Sequence, residues 1–177
     1  MRILARLPAL VLLAALPLLS GCLGGIQQEI DASIADARRE LREEPLSLQA
    51  EGHPDAEITR AGELRIGDAP VALDADQQRA VLAYRDTVLA VADAGLDGGA
   101  KIAHGATGAM MLAVLTGSED RMERRIEASA NRLVRGLCPG IAGIRRVQED
   151  LVRQVPQFAP YAERMDDDLD ECRRGEG

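Results

Sequence analysis

Residues 56–77 read AEITRAGELRIGDAPVALDADQ, and a change of period inside this stretch decides the fold. AEIT and ELRI alternate apolar with polar side chains, as a half-buried strand does, and RAG and GDAP are turn sequences. Gly62 and Gly67 fall where a tight turn can need positive φ. The pattern then switches. Asp74 with Gln77 three positions on is a capping-box-like start. Val81, Leu82, Tyr84, Val88, Leu89, Val91 and Ala92 follow as a broad apolar helical face, up to a C-cap expected at Gly95. Upstream, LSLQA (46–50) alternates too. Residues 46–73 are therefore expected to form an antiparallel β-meander of three or four short strands. Such a sheet buries little alone and needs a helix against one face.

Helical patterns flank the meander. Ile26, Ile30, Ile34, Ala37 and Leu41 form a stripe over about residues 26–43, ended by Pro45. Its opposite face is charged. Packing on its own domain is the expected role of this helix, and docking to a partner the alternative. Downstream, residues 96–117 (LDGGAKIAHGATGAMMLAVLTG) are rich in Gly and Ala. Gly105 and Gly108 would each cost about 1 kcal/mol in a helix interior, which close helix packing could offset. The expected structure is a buried central helix, with membrane insertion of residues 102–115 as the alternative. Ser118 caps a further helix with a stripe of Met122, Ile126, Ala130, Leu133, Val134 and Leu137. Arg121, Arg124, Arg125, Arg132 and Arg135 form its polar side. Cys138-Pro139-Gly140 is expected to break it. Ile141, Ile144, Val147, Leu151 and Val155 make the next helix. PQFAPY is a proline-set connector, and Tyr161, Met165, Leu169 and Cys172 a last short helix before a fraying tail. The expected fold is α+β and helix-dominated: a small meander packed on a bundle of four to five helices.

The N-terminus carries an address. Arg2 and Arg6 precede LPALVLLAALPLL (7–19), thirteen apolar residues where a membrane-spanning helix needs about 20. Pro8 and Pro17 also oppose a stable span. A basic start, a short apolar core and small residues at its end make a secretory signal peptide, residues 1–21. Leu19-Ser20-Gly21-Cys22 resembles the lipobox of bacterial lipoproteins. That resemblance implies diacylation of the Cys22 thiol, cleavage after Gly21 and acylation of the new N-terminus. Stable anchoring takes more than one acyl chain, and a triacylated Cys22 would meet that condition. Leu23 stands where well-studied inner-membrane lipoproteins carry Asp, so the outer membrane is expected.

Composition narrows the partners. The chain has 21 Lys and Arg against 29 Asp and Glu. With Arg2 and Arg6 removed, the mature chain (residues 22–177, one domain) has a formal charge of −10. Such a chain lacks the overall basic footprint of a nucleic-acid binder. Its net charge would also be repelled by an anionic membrane, so the lipid on Cys22 would do the anchoring. Phe158, Tyr84 and Tyr161 are the only aromatics, which disfavours stacking sites for sugars or bases. With Cys22 acylated, Cys138 and Cys172 remain. In an oxidising periplasm they are expected to form a structural disulfide. A redox pair lacks C-x-x-C spacing, and a metal pair lacks neighbouring histidines.

Residues 57–88, EITRAGELRIGDAPVALDADQQRAVLAYRDTV, carry a family resemblance. A strand, a Gly turn, a second strand ending near Gly67, then Val71, Leu73, Gln78 and Tyr84 on the next helix resemble the YggN-like bacterial envelope proteins. The likeness extends from about Glu57 to Tyr161, through the Gly-rich helix and the later cysteine. It implies periplasmic residence and supplies no catalytic residues. This chain departs from the soluble members by its lipobox and is shorter through its C-terminal half.

Signatures of chemistry are sparse. His53, in the loop EGHPD, and His104 are the only imidazoles, and no G-x-S-x-G accompanies either. His104 is expected to be a helix residue with a satisfied hydrogen bond. There is no H-E-x-x-H. The acidic run 166–171 (DDDLDE) lacks the Gly and Glu of a calcium loop at its sixth and twelfth positions, and reads as a solvated face. Asp97 with Lys101 is one expected helical ion pair. No cofactor, metal or catalytic residue is assigned. The function expected by subtraction is a non-enzymatic scaffold or a binding module for an envelope protein or an apolar ligand. A carboxylate-dependent hydrolase of envelope polymers and a membrane-perturbing protein are the alternatives.

Overall fold

The computed structural model describes the backbone of residues 8–116, 119–162, 170 and 172, and the side chains of residues 25, 27–106, 120–162, 170 and 172. Helix α1 (Pro8–Glu43) leads into strands β1 (Leu46–Leu48), β2 (Ala56–Ile58), β3 (Leu64–Ile66) and β4 (Ala69–Pro70). Helices α2 (Ala75–Thr116) and α3 (Glu119–Gln154) follow, then a 3-10 helix, Pro156–Tyr161.

The sheet is an antiparallel meander in the order β1-β2-β3-β4, as the alternation predicts. Leu46 faces Ile58, and Ile58 faces Leu64 across the next pair. Ala56, Ile58 and Leu64 are fully buried, while Glu57 is exposed opposite Arg65. Both turn glycines have positive φ, 77° at Gly62 and 55° at Gly67. At the β2–β3 turn the Gly62 N–H donates to the Thr59 carbonyl at 3.0 Å. This is the three-residue loop that places a left-handed residue last. Asp74 and Gln77 form the reciprocal box. Asp74 Oδ1 accepts from the N–H groups of Asp76 and Gln77, and Gln77 Oε1 accepts from the Asp74 N–H, all at 2.9 Å.

Two expected breaks are absent. Helix α2 continues through Gly95, Gly98 and Gly99, and α3 continues through Pro139 and Gly140. The four expected helices of this region are thus two long ones, packed antiparallel as a hairpin. A proline inside a helix costs about 3 kcal/mol. Packing on both sides of Pro139 offsets that cost. A Cβ on Gly98 would clash with Leu133 Cδ1, and one on Gly140 would come within 2.6 Å of Val91 Cγ2. The two helices therefore approach closely before and after the proline. Close packing was expected at Gly105, yet open space surrounds it. Gly108 and residues 107–115 lie outside the described side chains. Residues 102–106 are half-buried or exposed, so this part of α2 is not a buried central helix.

The glycine pair 98–99 gives a matched test. Gly99 faces open space, so Gly99→Ala is expected to stabilise by about 0.5–1 kcal/mol from helix propensity alone. Gly98→Ala should forfeit that gain against Leu133. Urea unfolding of both variants checks this; equal gains would mean that α2 and α3 do not approach closely at Gly98.

The core sits at the sheet end of the hairpin. Phe158, Leu151, Val155 and Val81 are buried beneath Ile58 and Leu64. The stretch expected as a mere connector supplies two of the chain's three aromatics to this core. Phe158 meets Tyr84 edge-on with centroids 5.1 Å apart, and Tyr161 Oη donates to the Pro54 carbonyl at 2.5 Å. Gln77 Nε2 donates to the Gln154 carbonyl at 2.8 Å and closes the two long helices at this end. The Sγ atoms of Cys138 and Cys172 lie 2.02 Å apart, at disulfide-bonding distance. Asp170 and Cys172 are helical; Met165, Leu169 and most of the acidic run lie outside the described residues.

Helix α1 is longer than its stripe. It begins at Pro8 and passes through Pro17, Cys22 and Gly25, consistent with the high helix propensity of its Leu and Ala residues. No helix among the described residues is long and apolar enough to cross a membrane.

Candidate functional site

Two cavities of about 520 Å³ each lie along the groove between α2 and α3. They share Lys101, Ile102, Ser129 and Arg132, and so form one trough. Its half nearer the sheet adds Ala94, Leu133 and Leu137 to the shared residues, with Asp97 beside them. Its half nearer the hairpin tip has an apolar floor of Ile102, Met122 and Ile126. Arg121, Arg124, Arg125, Arg132 and Lys101 ring that floor. Among the described residues none of these five cations has an ion-pair partner. Gly105 contributes width, since it has no side chain where the trough runs.

Local sequence explains the arrangement. Arg121, Arg125, Ser129 and Arg132 recur at spacings of four, four and three, which puts them on one face of α3. Met122, Ile126 and Leu133 lie on the adjoining face, toward α2. Acidic Asp120, Glu123 and Glu127 are on the same helix but do not line the trough. Among the described residues Asp97 is the only carboxylate in either half, and it is paired with Arg38 of α1. The expected Asp97–Lys101 pair is therefore replaced by a contact between helices, and Lys101 turns to the trough.

Helix α1 lies along the other side of α2. Arg38 Nε donates to Asp93 Oδ1 at 2.9 Å, and His104 Nε2 lies 2.9 Å from Asp31 Oδ1. His104 is thus the helix residue with a satisfied hydrogen bond that the sequence suggested. Ile30, Ile34, Ala37 and Leu41 are half-buried, so the stripe packs on its own domain. Buried Arg85 of α2 holds the C-terminal end of α1. Its Nη2 donates to the carbonyls of Glu44 at 3.2 Å and Arg42 at 3.5 Å, where a helix presents unpaired acceptors and negative dipole. Beside this end a second apolar cavity of about 510 Å³ is lined by Leu41, Leu46, Leu89 and Leu96, with Glu40 and Glu44 on its rim.

The other candidates stay apart. His53 sits in the β1–β2 loop, its ring edge-on to Tyr161 at 6.3 Å. Among the described residues no group of three His, Cys, Asp or Glu side chains could hold a metal ion. Cys22 lies on the backbone of α1, and its side chain is outside those described. The arginine ring was named in the sequence only as a polar helix side. Its spacing could have marked it, but the trough exists only because α2 and α3 form one long hairpin. No family model, curated protein or solved structure matches the chain.

Proposed function

We propose that this chain is a lipoprotein, anchored through Cys22 in the outer membrane and facing the periplasm, that works as a non-enzymatic scaffold or binding module. The observation that carries the binding reading is the chemistry of the trough. Among the described residues it offers an apolar floor ringed by cations that have no ion-pair partner, and no facing pair of carboxylates. Acid–base cleavage of a glycosidic polymer uses two opposed carboxyl groups roughly 5–10 Å apart. Glu40 and Glu44, beside the second cavity, are instead one helical turn apart on one side of it.

The anchor reading rests on Arg2, Arg6, the short apolar run and the lipobox-like 19–22. Helix α1 supports it, because an acylated Cys22 would open directly onto a helix packed against the domain. The YggN-like resemblance of residues 57–161 supports the same compartment and belongs to this proposal. Cys22→Ser is expected to move the protein almost completely out of the outer-membrane fraction. Retention of the variant there would overturn the anchor. Purified protein should release no fragments from envelope polymers and no dye from lipid vesicles. Fragment release would favour the hydrolase, and leakage the membrane-perturbing reading.

A further inference from the structure

The position of the cationic ring relative to Cys22 suggests what it binds. Asp31 meets His104, and Arg38 meets Asp93 and Asp97. As the number rises along α1 it falls along α2, so the two helices are antiparallel. Cys22 then lies level with about residue 113 of α2, at roughly 1.5 Å per residue. Helix α2 ends at Thr116 and α3 begins at Glu119, just beyond that level. The hairpin tip and Cys22 therefore share one end of the molecule, and Ala106 and Arg121 mark the near end of the trough. The separation along the axis between Cys22 and Ala106 is about 10 Å by the same rise.

We propose that this ring binds the phosphate headgroup of an anionic phospholipid from the membrane that holds Cys22. The inference rests on the anchor reading, because an acylated Cys22 would hold the ring at the lipid surface. Charge decides the class of ligand. Among the described residues, five cations line this half of the trough and no carboxylate does. The nearby acids Asp120, Glu123 and Glu127 lie outside the trough, and charges farther away than a Debye length of about 8 Å are largely screened at physiological salt. Guanidinium forks match phosphate oxygens in bidentate geometry. The floor of Ile102, Met122 and Ile126 can take the first methylenes below the headgroup.

The test uses the full chain in mild detergent, with bound lipid counted by native mass spectrometry. Phosphatidylglycerol is compared with phosphatidylcholine and with inorganic phosphate, for wild type and for Cys22→Ser. Wild type is expected to bind phosphatidylglycerol at least tenfold more tightly than phosphatidylcholine. Arg121→Gln/Arg124→Gln/Arg125→Gln should lose that preference. Gly105→Leu, which fills the trough without changing charge, should weaken binding at least tenfold. Arg79→Gln, at the other end of α2, should have no effect. Equal binding of the two lipids, or indifference to both trough variants, would overturn the proposal. Inorganic phosphate binding as tightly as phosphatidylglycerol would also overturn it, in favour of a soluble phosphate ligand. Cys22→Ser should keep the preference. If it does and Cys22 proves unacylated, the anchor reading fails while the headgroup chemistry stands. If Cys22 is acylated and the preference is absent, the headgroup proposal alone fails.

Discussion

Phe158→Ala is expected to remove about 3–5 kcal/mol of stability, a large share of the 5–15 kcal/mol typical of a domain. Phe158 is the largest of the fully buried side chains. It meets Tyr84 of α2 and, at 6.3 Å, Tyr161. Its loss leaves a cavity beneath a meander of four strands of two or three residues each, in the core shared with Leu151, Val155 and Val81. Val134→Ala is the control. Val134 is 45% exposed, and its truncation should change stability by about 0.5 kcal/mol or less. Urea unfolding of both variants gives the comparison. A loss below about 1 kcal/mol for Phe158→Ala would mean that the 3-10 helix is not seated in the core.

Removing the Cys138–Cys172 bridge is expected to cost a similar amount. The two cysteines are 34 residues apart, and closing a loop of that length in the unfolded chain corresponds to about 3–4 kcal/mol in the chain-entropy model. Cys172 is buried at 7% exposure, so the double variant Cys138→Ser/Cys172→Ser also leaves a polar group in its place. Its Tm should fall well below that of the oxidised wild type, and reductant should bring the wild type down to the same range. Identical melting of wild type with and without reductant would show that the two thiols are not bridged.

The local signals were legible because their causes are local. The alternation of residues 46–66, the glycines at 62 and 67 and the Asp74–Gln77 box each depend on a few neighbouring side chains. The continuity of the helices was not legible. Gly95 and Cys138-Pro139-Gly140 are sound stop signals for an isolated helix. They are overridden here by Leu133 against Gly98 and Val91 against Gly140, contacts between residues far apart in sequence. The role of PQFAPY was hidden for the same reason. Nothing in those six residues shows that Phe158 meets Tyr84 across the fold. The arginine spacing on α3 was visible, but its meaning was not. One-sided charge usually marks a solvated face, and it becomes the ring of a trough only once α2 runs alongside without a break. Net charge was the poorest guide, because it averages the cations that line the trough with acidic residues outside it.

The orientation of the whole molecule, and the placing of the trough at a lipid surface, depend on Cys22. The most direct test is the intact mass of the protein purified from its native membrane, with thiol labelling before and after reduction. The expected result is a chain that begins at Cys22 with three acyl chains, in which Cys138 and Cys172 label only after reduction. A chain without acyl groups, or with both thiols free before reduction, would contradict it.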